Sequence, residues 1–247
     1  MRSRLKISIN RLITILFPEL PKAVWSVNQK SSYALLLEFP TARAIAEANL
    51  TRLTNVLSAN SHGRYGKDKA FEIRELAKQS IGLDSRATGF ELKQSIRLVQ
   101  GLQQEIDELD KEITAIMLDI DSPILTIPGI GYTLGAIILS EIGNIENFDN
   151  PSKLLKFAGL EPSVFESGNF KASNTPMVKR GSKYLRWALL QAARLVAYRD
   201  ATFNAYMLKK RNEGKHFYVA KSHVAKKLVR VLFHLIRSGD TFATQFN

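Results

Sequence analysis

Residues 92–116 read LKQSIRLVQGLQQEIDELDKEITAI, and this stretch decides the fold class. Its apolar residues follow at alternating intervals of three and four, the a and d pattern of a heptad repeat, with Ser95 as the one break: Leu92, Val99, Leu102, Ile106, Leu109, Ile113 and Ile116. We predict one long helix over about residues 87–117. A coiled-coil dimer and antiparallel packing against the N-terminal helix of the same chain share this pattern, and both remain open.

Helical periodicity extends along the rest of the chain. Leu5, Leu12, Ile13 and Leu16 predict an amphipathic helix that ends before Pro18. Further helices are predicted over 32–39, 42–57, 68–79, 132–142, 151–157, 182–198, 202–211 and 218–236. The predicted fold is mainly α, with a helical coiled-coil assembly region at 1–120 and a compact helical domain at 121–247.

The composition is that of a globular chain, with 45% hydrophobic and 23% charged residues. It contains no cysteine, which excludes disulfides and thiolate metal sites and fits a reducing cytoplasm. Asn10 and Arg11 interrupt the apolar run near the start, and no later run approaches the ~20 residues that span a bilayer. We expect a cytoplasmic protein that has no membrane partner.

The positive charge is concentrated in the last third of the chain. Residues 167–247 contain 16 Lys and Arg against three acids, a net charge of +13, whereas the whole chain has a net charge of +12. A region with this excess of positive charge attracts polyanions, and the phosphate backbone of a nucleic acid is the most common polyanion that proteins bind. This distribution favours a nucleic-acid partner; a merely solvated basic surface or an anionic membrane surface is the alternative.

The run IPGIG at 127–131 resembles the turn of a helix-hairpin-helix. Gly129 and Gly131 permit a close approach of backbone amides to a phosphate, and the next helix adds its N-terminal amides. Such a turn contacts the nucleic-acid backbone without reading sequence. The alternative is a tight turn between two packed helices.

A second phosphate site is predicted around the run KRGSKYLR at 179–186. Lys179, Arg180, Lys183 and Arg186 surround a helix start, with Ser182 as its N-cap, and Lys171 lies just upstream. The alternative is a solvated helix start. Upstream again, Ser167 precedes Gly168, and a serine hydroxyl beside such cations could attack a phosphodiester. From the residues alone, a plain turn serine is the stronger interpretation of Ser167.

A third basic set lies near the C-terminus. Its cations are Lys209, Lys210, Arg211, Lys215, Lys221, Lys226, Lys227 and Arg230, with Phe203, Tyr206, Phe217 and Tyr218 interleaved. Of these cations, Lys209, Lys210, Arg211, Lys226 and Lys227 are the predicted phosphate contacts. Most of these aromatic residues fit a core, and one or two could stack on bases of a single strand. His216, His223 and His234 lack metal-ligand spacing, so no metal site is predicted in this chain.

Four blocks in order resemble the insertion-sequence transposases of the IS116/IS110/IS902 type, the DEDD-type enzymes related to the Piv pilin invertase. The blocks are IPGIG (127–131), EIGNIENFDNPSKLLKFAGLEPSV (141–164), SG (167–168) and KRGSKYLR (179–186). The resemblance covers about residues 125–240. Upstream, FPEL (17–20), LLLEFPT (35–41) and the heptad helix look like the coiled-coil region of the same family.

This resemblance implies a division of labour. In the family, an N-terminal RuvC-like domain binds divalent metal through four acids, and a C-terminal domain carries the nucleophilic serine, whose matching position here is Ser167. A structured guide RNA pairs with the DNA. We expect no cofactor on this chain and Mg²⁺ only in the RuvC-like domain, which we expect to be missing here because too few residues precede FPEL.

Two functions follow as hypotheses. In the first, the chain acts in DNA transposition or site-specific recombination: it binds DNA and a guide RNA, forms a homo-oligomer through the coiled coil, and attacks DNA with Ser167, another chain supplying the acidic domain. In the second, it is a non-catalytic DNA- or RNA-binding remnant that modulates a full-length transposase. A repair-type helix-hairpin-helix protein is a third, weaker hypothesis.

Overall fold

The computed structural model describes residues 1–161 and 177–243 and, as backbone, two short strands between them, 166–167 and 170–171. The predicted site residues Ser167 and Lys171 therefore have side chains outside the described residues. The chain divides into two compact units, Met1–Glu108 and Leu109–Asn247. The mainly α fold is confirmed. The functional division at residue 120 remains a prediction.

The first unit and the helix that leaves it contain seven α-helices. They are α1 (Arg2–Leu16), α2 (Leu20–Ala23), α3 (Lys30–Glu38), α4 (Ala42–Glu47), α5 (Leu50–Ala59), α6 (Lys67–Lys78) and α7 (Arg86–Ile120). The predicted helix over 42–57 is two helices. Its periodicity runs through the break, but Ala48 is extended and the Asn49 side chain accepts hydrogen bonds from the amides of Thr51 and Arg52, which caps a new helix.

The first half of α7 packs inside its own unit. Leu92, Ile96 and Val99 are buried in the core that also takes the apolar stripe of α1, including Leu12 and Leu16. Ser95, the break in the heptad pattern, is itself buried beside Ile96. This half of α7 therefore follows the interpretation of packing against the N-terminal helix of the same chain.

The second half of α7 has a different environment. Leu109 is 61% exposed and Ile116 is 57% exposed, although both occupy heptad core positions. Only Met117 of this half is fully buried, and it lies where a Cβ on Gly135 would come within 3.1 Å of its terminal methyl group. The described residues thus leave an apolar stripe of α7 open to solvent.

The second unit continues from the end of α7. Its elements are two 3-10 helices (Pro123–Thr126 and Ile145–Asn147), α8 (Tyr132–Ile142), α9 (Pro151–Phe157), β1 (Glu166–Ser167), β2 (Phe170–Lys171), α10 (Lys183–Arg199), α11 (Ala201–Asn212) and α12 (Phe217–Ser238). The strands β1 and β2 form one antiparallel pair. Asn150 caps α9 by accepting from the amides of Ser152 and Lys153.

Helix α10 is the centre of the second unit. It packs against α8, α11 and α12 through a face of small and branched residues, Leu185, Ala188, Leu189, Ala192, Ala193, Val196 and Ala197. The turn before α8 contains Gly129 and packs directly against α10. A Cβ on Gly129 would lie 2.9 Å from the backbone carbon of Leu195. Gly129 also has a φ of +106°, which side chains rarely adopt.

Among the described helices, none has both the length and the apolar character required to cross a bilayer.

We expect Gly129→Ala to lower the free energy of unfolding by about 2 kcal/mol or more, because the substitution adds backbone strain and a clash with α10. Gly101→Ala is the matched control. Nothing lies within 4 Å of a Cβ on Gly101 in the middle of α7, so alanine should stabilise that helix slightly. Thermal unfolding followed by circular dichroism checks both, and equal melting temperatures for Gly129→Ala and the parent chain would contradict the packing role.

Candidate nucleic-acid interface

The start of α10 is held in a fixed position. The Ser182 hydroxyl accepts from the Leu185 amide at 3.0 Å, which confirms it as the N-cap, and donates to Glu141 Oε2 at 2.5 Å. Ser182 is thus occupied structurally. Lys183, Arg180 and Lys179 are exposed around this start, so three of the predicted phosphate contacts surround one helix N-terminus.

Arg186 closes the turn from inside. Its Nη1 donates to the carbonyl oxygens of Ala158 at 3.2 Å and of Lys179 at 3.1 Å, which joins the end of α9 to the basic turn. Gly159 and Gly181 make this approach possible, since a Cβ on either would lie within about 2.2 Å of a facing carbonyl oxygen. Arg186 was predicted as a phosphate contact. Its geometry favours a role in positioning the turn.

The same turn fixes both ends of the segment that carries Ser167. The Val178 amide donates to the Glu161 carbonyl at 3.0 Å, and the Lys179 amide donates to the Gly159 carbonyl at 3.3 Å. Lys179 has a positive φ of 57°, an uncommon conformation for a residue with a side chain. The backbone of Ser167 lies in β1, opposite Phe170 of β2. The segment therefore starts and ends beside the basic turn.

A second group of cations gathers where α11 meets α12. Lys210 and Lys227 share the Tyr206 ring, with their Nζ atoms 5.6 Å and 5.1 Å from its centroid. Lys210 also forms an ion pair with Glu213 at 2.8 Å, and this hydrogen bond raises the pKa of Lys210. Arg211 Nη1 donates to the carbonyl of Lys215 at 2.8 Å. We name Lys210, Lys215, His223, Lys226 and Lys227 the α11–α12 cluster. Lys209, the other predicted contact here, is exposed at the end of α11.

The crowding of positive charge shows in the titration of His223. Burial and the neighbouring cations Lys226, Lys215 and Lys210 lower the pKa of the His223 imidazole, and Glu213 opposes them. Burial lowers the pKa of Lys226 as well, while the Glu161 carboxylate raises it. Lys226 therefore connects the α11–α12 cluster to Glu161, at the base of the Ser167 segment.

The two glycines of the predicted helix-hairpin-helix turn have different surroundings. Gly129 faces the backbone of α10, whereas Gly131 is the N-cap of α8 and has open space where a Cβ would lie. α8 begins without a side-chain cap, so its first amides are available to an anion. The element before the turn is a four-residue 3-10 helix. Phosphate binding by this turn remains a prediction.

The outward face of α10 carries aromatic residues that the sequence analysis did not identify. Tyr184, Trp187 and Tyr198 are 60%, 53% and 85% exposed, and Arg194 is exposed on the same face. Lys183 Nζ lies 4.9 Å above the Tyr184 ring. The alanine-rich spacing of the opposite face could have revealed this stripe. Of the aromatic residues that were considered, Phe203 is buried and Tyr218 is 65% exposed, with Lys221 Nζ at 5.0 Å from its ring.

Residues 121–208 match the transposase IS116/IS110/IS902 family. The uncharacterized 44.8 kDa protein of insertion element IS116 from Streptomyces clavuligerus is 27% identical over 98% of this chain and 61% of its own length. The transposase for insertion sequence element IS1328 from Yersinia enterocolitica is 27% identical over 58% of this chain and 44% of its own length.

The pilin gene-inverting protein of Moraxella bovis is 29% identical over 49% of this chain and 38% of its own length. The chain thus spans less than two thirds of the length of each of these three relatives. The matched region contains the turn at 127–131, the base of the Ser167 segment, and α10 with its basic start.

We expect nucleic-acid binding to tighten as the pH falls from about 8 to about 5.5, near the range in which histidine titrates. In the free chain, burial and the neighbouring cations lower the pKa of His223. Bound phosphates raise that pKa, so binding takes up a proton and low pH favours the complex. His223→Gln should flatten the profile, whereas His234→Gln, whose ring faces Asp240, should not. Fluorescence anisotropy measures the affinities, and an unchanged slope in His223→Gln would contradict the assignment.

Proposed function

Because residues 121–208 belong to the IS116/IS110/IS902 transposase family, we propose that this chain binds DNA in transposition or site-specific recombination and that Ser167 is its nucleophile. The observation that carries the proposal is the hydrogen-bonded base of the Ser167 segment. The Val178 amide and the Glu161 carbonyl close this base at 3.0 Å, directly beside the cations that start α10. A phosphate bound at the basic turn would therefore lie beside the two ends of the segment that carries the serine.

The chemistry is a transesterification. The Ser167 Oγ forms a bond to phosphorus, one bridging P–O bond breaks, and the released deoxyribose hydroxyl takes up a proton while the serine gives one up. The strand stays attached to the protein as a phosphoserine ester, so the exchange is reversible by attack of another hydroxyl. Lys179, Arg180 and Lys183 stabilise the charge that develops on the phosphate, and Arg186 keeps the turn in register.

The partners of this surface are DNA and, by the same proposal, a structured guide RNA. Duplex phosphates fit the basic turn and the α11–α12 cluster, which carry positive charge. Unpaired bases of an RNA fit the exposed rings of Tyr184 and Trp187, because aromatic faces stack on any base. In the described part of this chain, no three acidic or histidine side chains are grouped to hold a metal ion.

One experiment separates binding from cleavage. The chain is mixed with labelled element DNA and a full-length family transposase whose own matching serine is alanine. We expect a covalent adduct that mass spectrometry places at Ser167. Ser167→Ala should lose the adduct and bind DNA with unchanged affinity. Binding without any adduct would reject the catalytic proposal in favour of a non-catalytic binding module.

The dependence of DNA affinity on salt concentration tests the proposed phosphate contacts. Neutralising Lys179 and Arg180 together with glutamine should lower the slope of log affinity against log salt by about two, since each lost phosphate contact accounts for about 0.9 on B-form DNA. Lys111→Gln is the matched control, because Lys111 is exposed on α7. A flat salt response in the parent chain would reject the basic surface as the contact.

We also propose that a second copy covers the open stripe of α7. Leu109 and Ile116 are exposed at heptad core positions, an arrangement typical of coiled-coil association. Leu109→Glu with Ile116→Glu should convert a dimer to a monomer in sedimentation experiments, whereas Leu98→Glu, at an exposed position off the heptad core, should leave the dimer intact. A parent chain that sediments as a monomer at all concentrations contradicts this proposal.

A further inference from the structure

The most exposed large aromatic side chain described in the structure is Trp25, at 94%. It lies in the connection between α2 and α3, at the rim of a surface cavity of about 510 Å³. The second side of the cavity is the connection between α5 and α6, where His62 and Gly63 have positive φ angles. A ring so exposed at a cavity rim offers a flat face on which another ring can stack.

The backbone of Trp25 is fixed although its ring is free. The Tyr65 hydroxyl accepts from the Trp25 amide at 3.0 Å and from Gln29 Nε2 at 2.9 Å. The Tyr65 amide in turn donates to Ser61 Oγ at 2.9 Å. The two connections are therefore joined through one tyrosine, so the indole is presented from a preorganised support.

The remaining chemistry of the cavity is cationic and polar. Lys30, His62 and Arg64 line it and are exposed, and no lining residue carries a carboxylate. No acidic side chain among the described residues forms an ion pair with Lys30 or Arg64. Gln29 gives one donor to Tyr65 and retains its carbonyl oxygen. A ring for stacking, cations for phosphate and an amide for a base edge together match a nucleotide.

A neighbouring cavity favours a nucleic-acid strand over a single free nucleotide as the ligand. Lys30 and Asn60 also line a second cavity, of about 590 Å³, whose other walls include Lys6, Gln100 and Gln104. Two adjoining cavities that share a lysine have room for successive nucleotides, and Asp107 also lines the second one. A free nucleotide would gain only one open face of Trp25, whereas a strand gains from several weak contacts at once.

We propose that Trp25 and the cavity beside it bind an unpaired nucleotide of a single-stranded nucleic acid. The base stacks on the indole, and Lys30 and Arg64 neutralise the flanking phosphates. The site lies in the first unit, outside the region 121–208 that matches the transposase family. It therefore stands or falls independently of the function proposed for the second unit.

The test uses the fact that the chain has two tryptophans, Trp25 and Trp187. Trp187→Phe makes Trp25 the sole tryptophan of the full chain, so excitation at 295 nm or longer wavelengths selects it over the tyrosines, and base stacking quenches tryptophan emission. We expect saturable quenching by a short single-stranded oligothymidylate, little quenching by a hairpin duplex, and little by thymidine monophosphate at the same nucleotide concentration. Lys30→Gln with Arg64→Gln should weaken the Trp25 response roughly tenfold, whereas Ile81→Ala, at an exposed site outside the cavity, should not.

Each contrary result is distinguishable. In Trp25→Phe, emission from Trp187 reports binding by the second unit. If the oligonucleotide quenches Trp187 in Trp25→Phe but does not quench Trp25 in Trp187→Phe, this proposal is overturned and the proposed function is left intact. Equal quenching by the monophosphate contradicts a nucleic-acid strand as the ligand. Equal quenching by the duplex contradicts recognition of an unpaired base. A shift of Trp25 emission with protein concentration alone overturns the proposal and assigns the ring to contact with a second copy.

Discussion

The buried face of α10 is the constraint on which the second unit depends. Four alanines on this face, Ala188, Ala192, Ala193 and Ala197, let α8, α11 and α12 pack closely around it. Because a helix has only one remaining side, the larger and charged residues of α10 must point outward. The exposed aromatic stripe and the cationic start of α10 are thus consequences of core packing.

Local signals in the sequence predicted much of the fold. The bounds of α8 and α9 follow from features within a few residues, such as Asn150 and Pro151 at the start of α9. The helix over 42–57 was wrong because its apolar periodicity continues across Asn49, and that pattern was followed in place of the local capping signal at Asn49. For α7, the heptad pattern predicted the helix but did not show that Val99 would be buried and Leu109 exposed.

The candidate site was predictable only in part, for a similar reason. Charge and the cap at Ser182 are visible in the sequence, because both are local. One partner of Arg186 is the carbonyl of Ala158, which is 28 residues away in the chain, and nothing in the sequence around either residue indicates this contact. The exposure of Trp25 likewise depends on which surfaces of the first unit are covered, which a single-sequence pattern does not specify.

The closed base of the Ser167 segment makes the packing of the helical core independent of the sequence of that segment. The hydrogen bond from Val178 to Glu161 and the Arg186 contacts bring the two ends of the segment together whatever lies between them. Loop closure free energy grows only slowly with length, so residues 162–176 can be exchanged or lengthened at small cost to the helical core. The helical scaffold can therefore stay the same while the segment between Glu161 and Val178 changes in length or sequence.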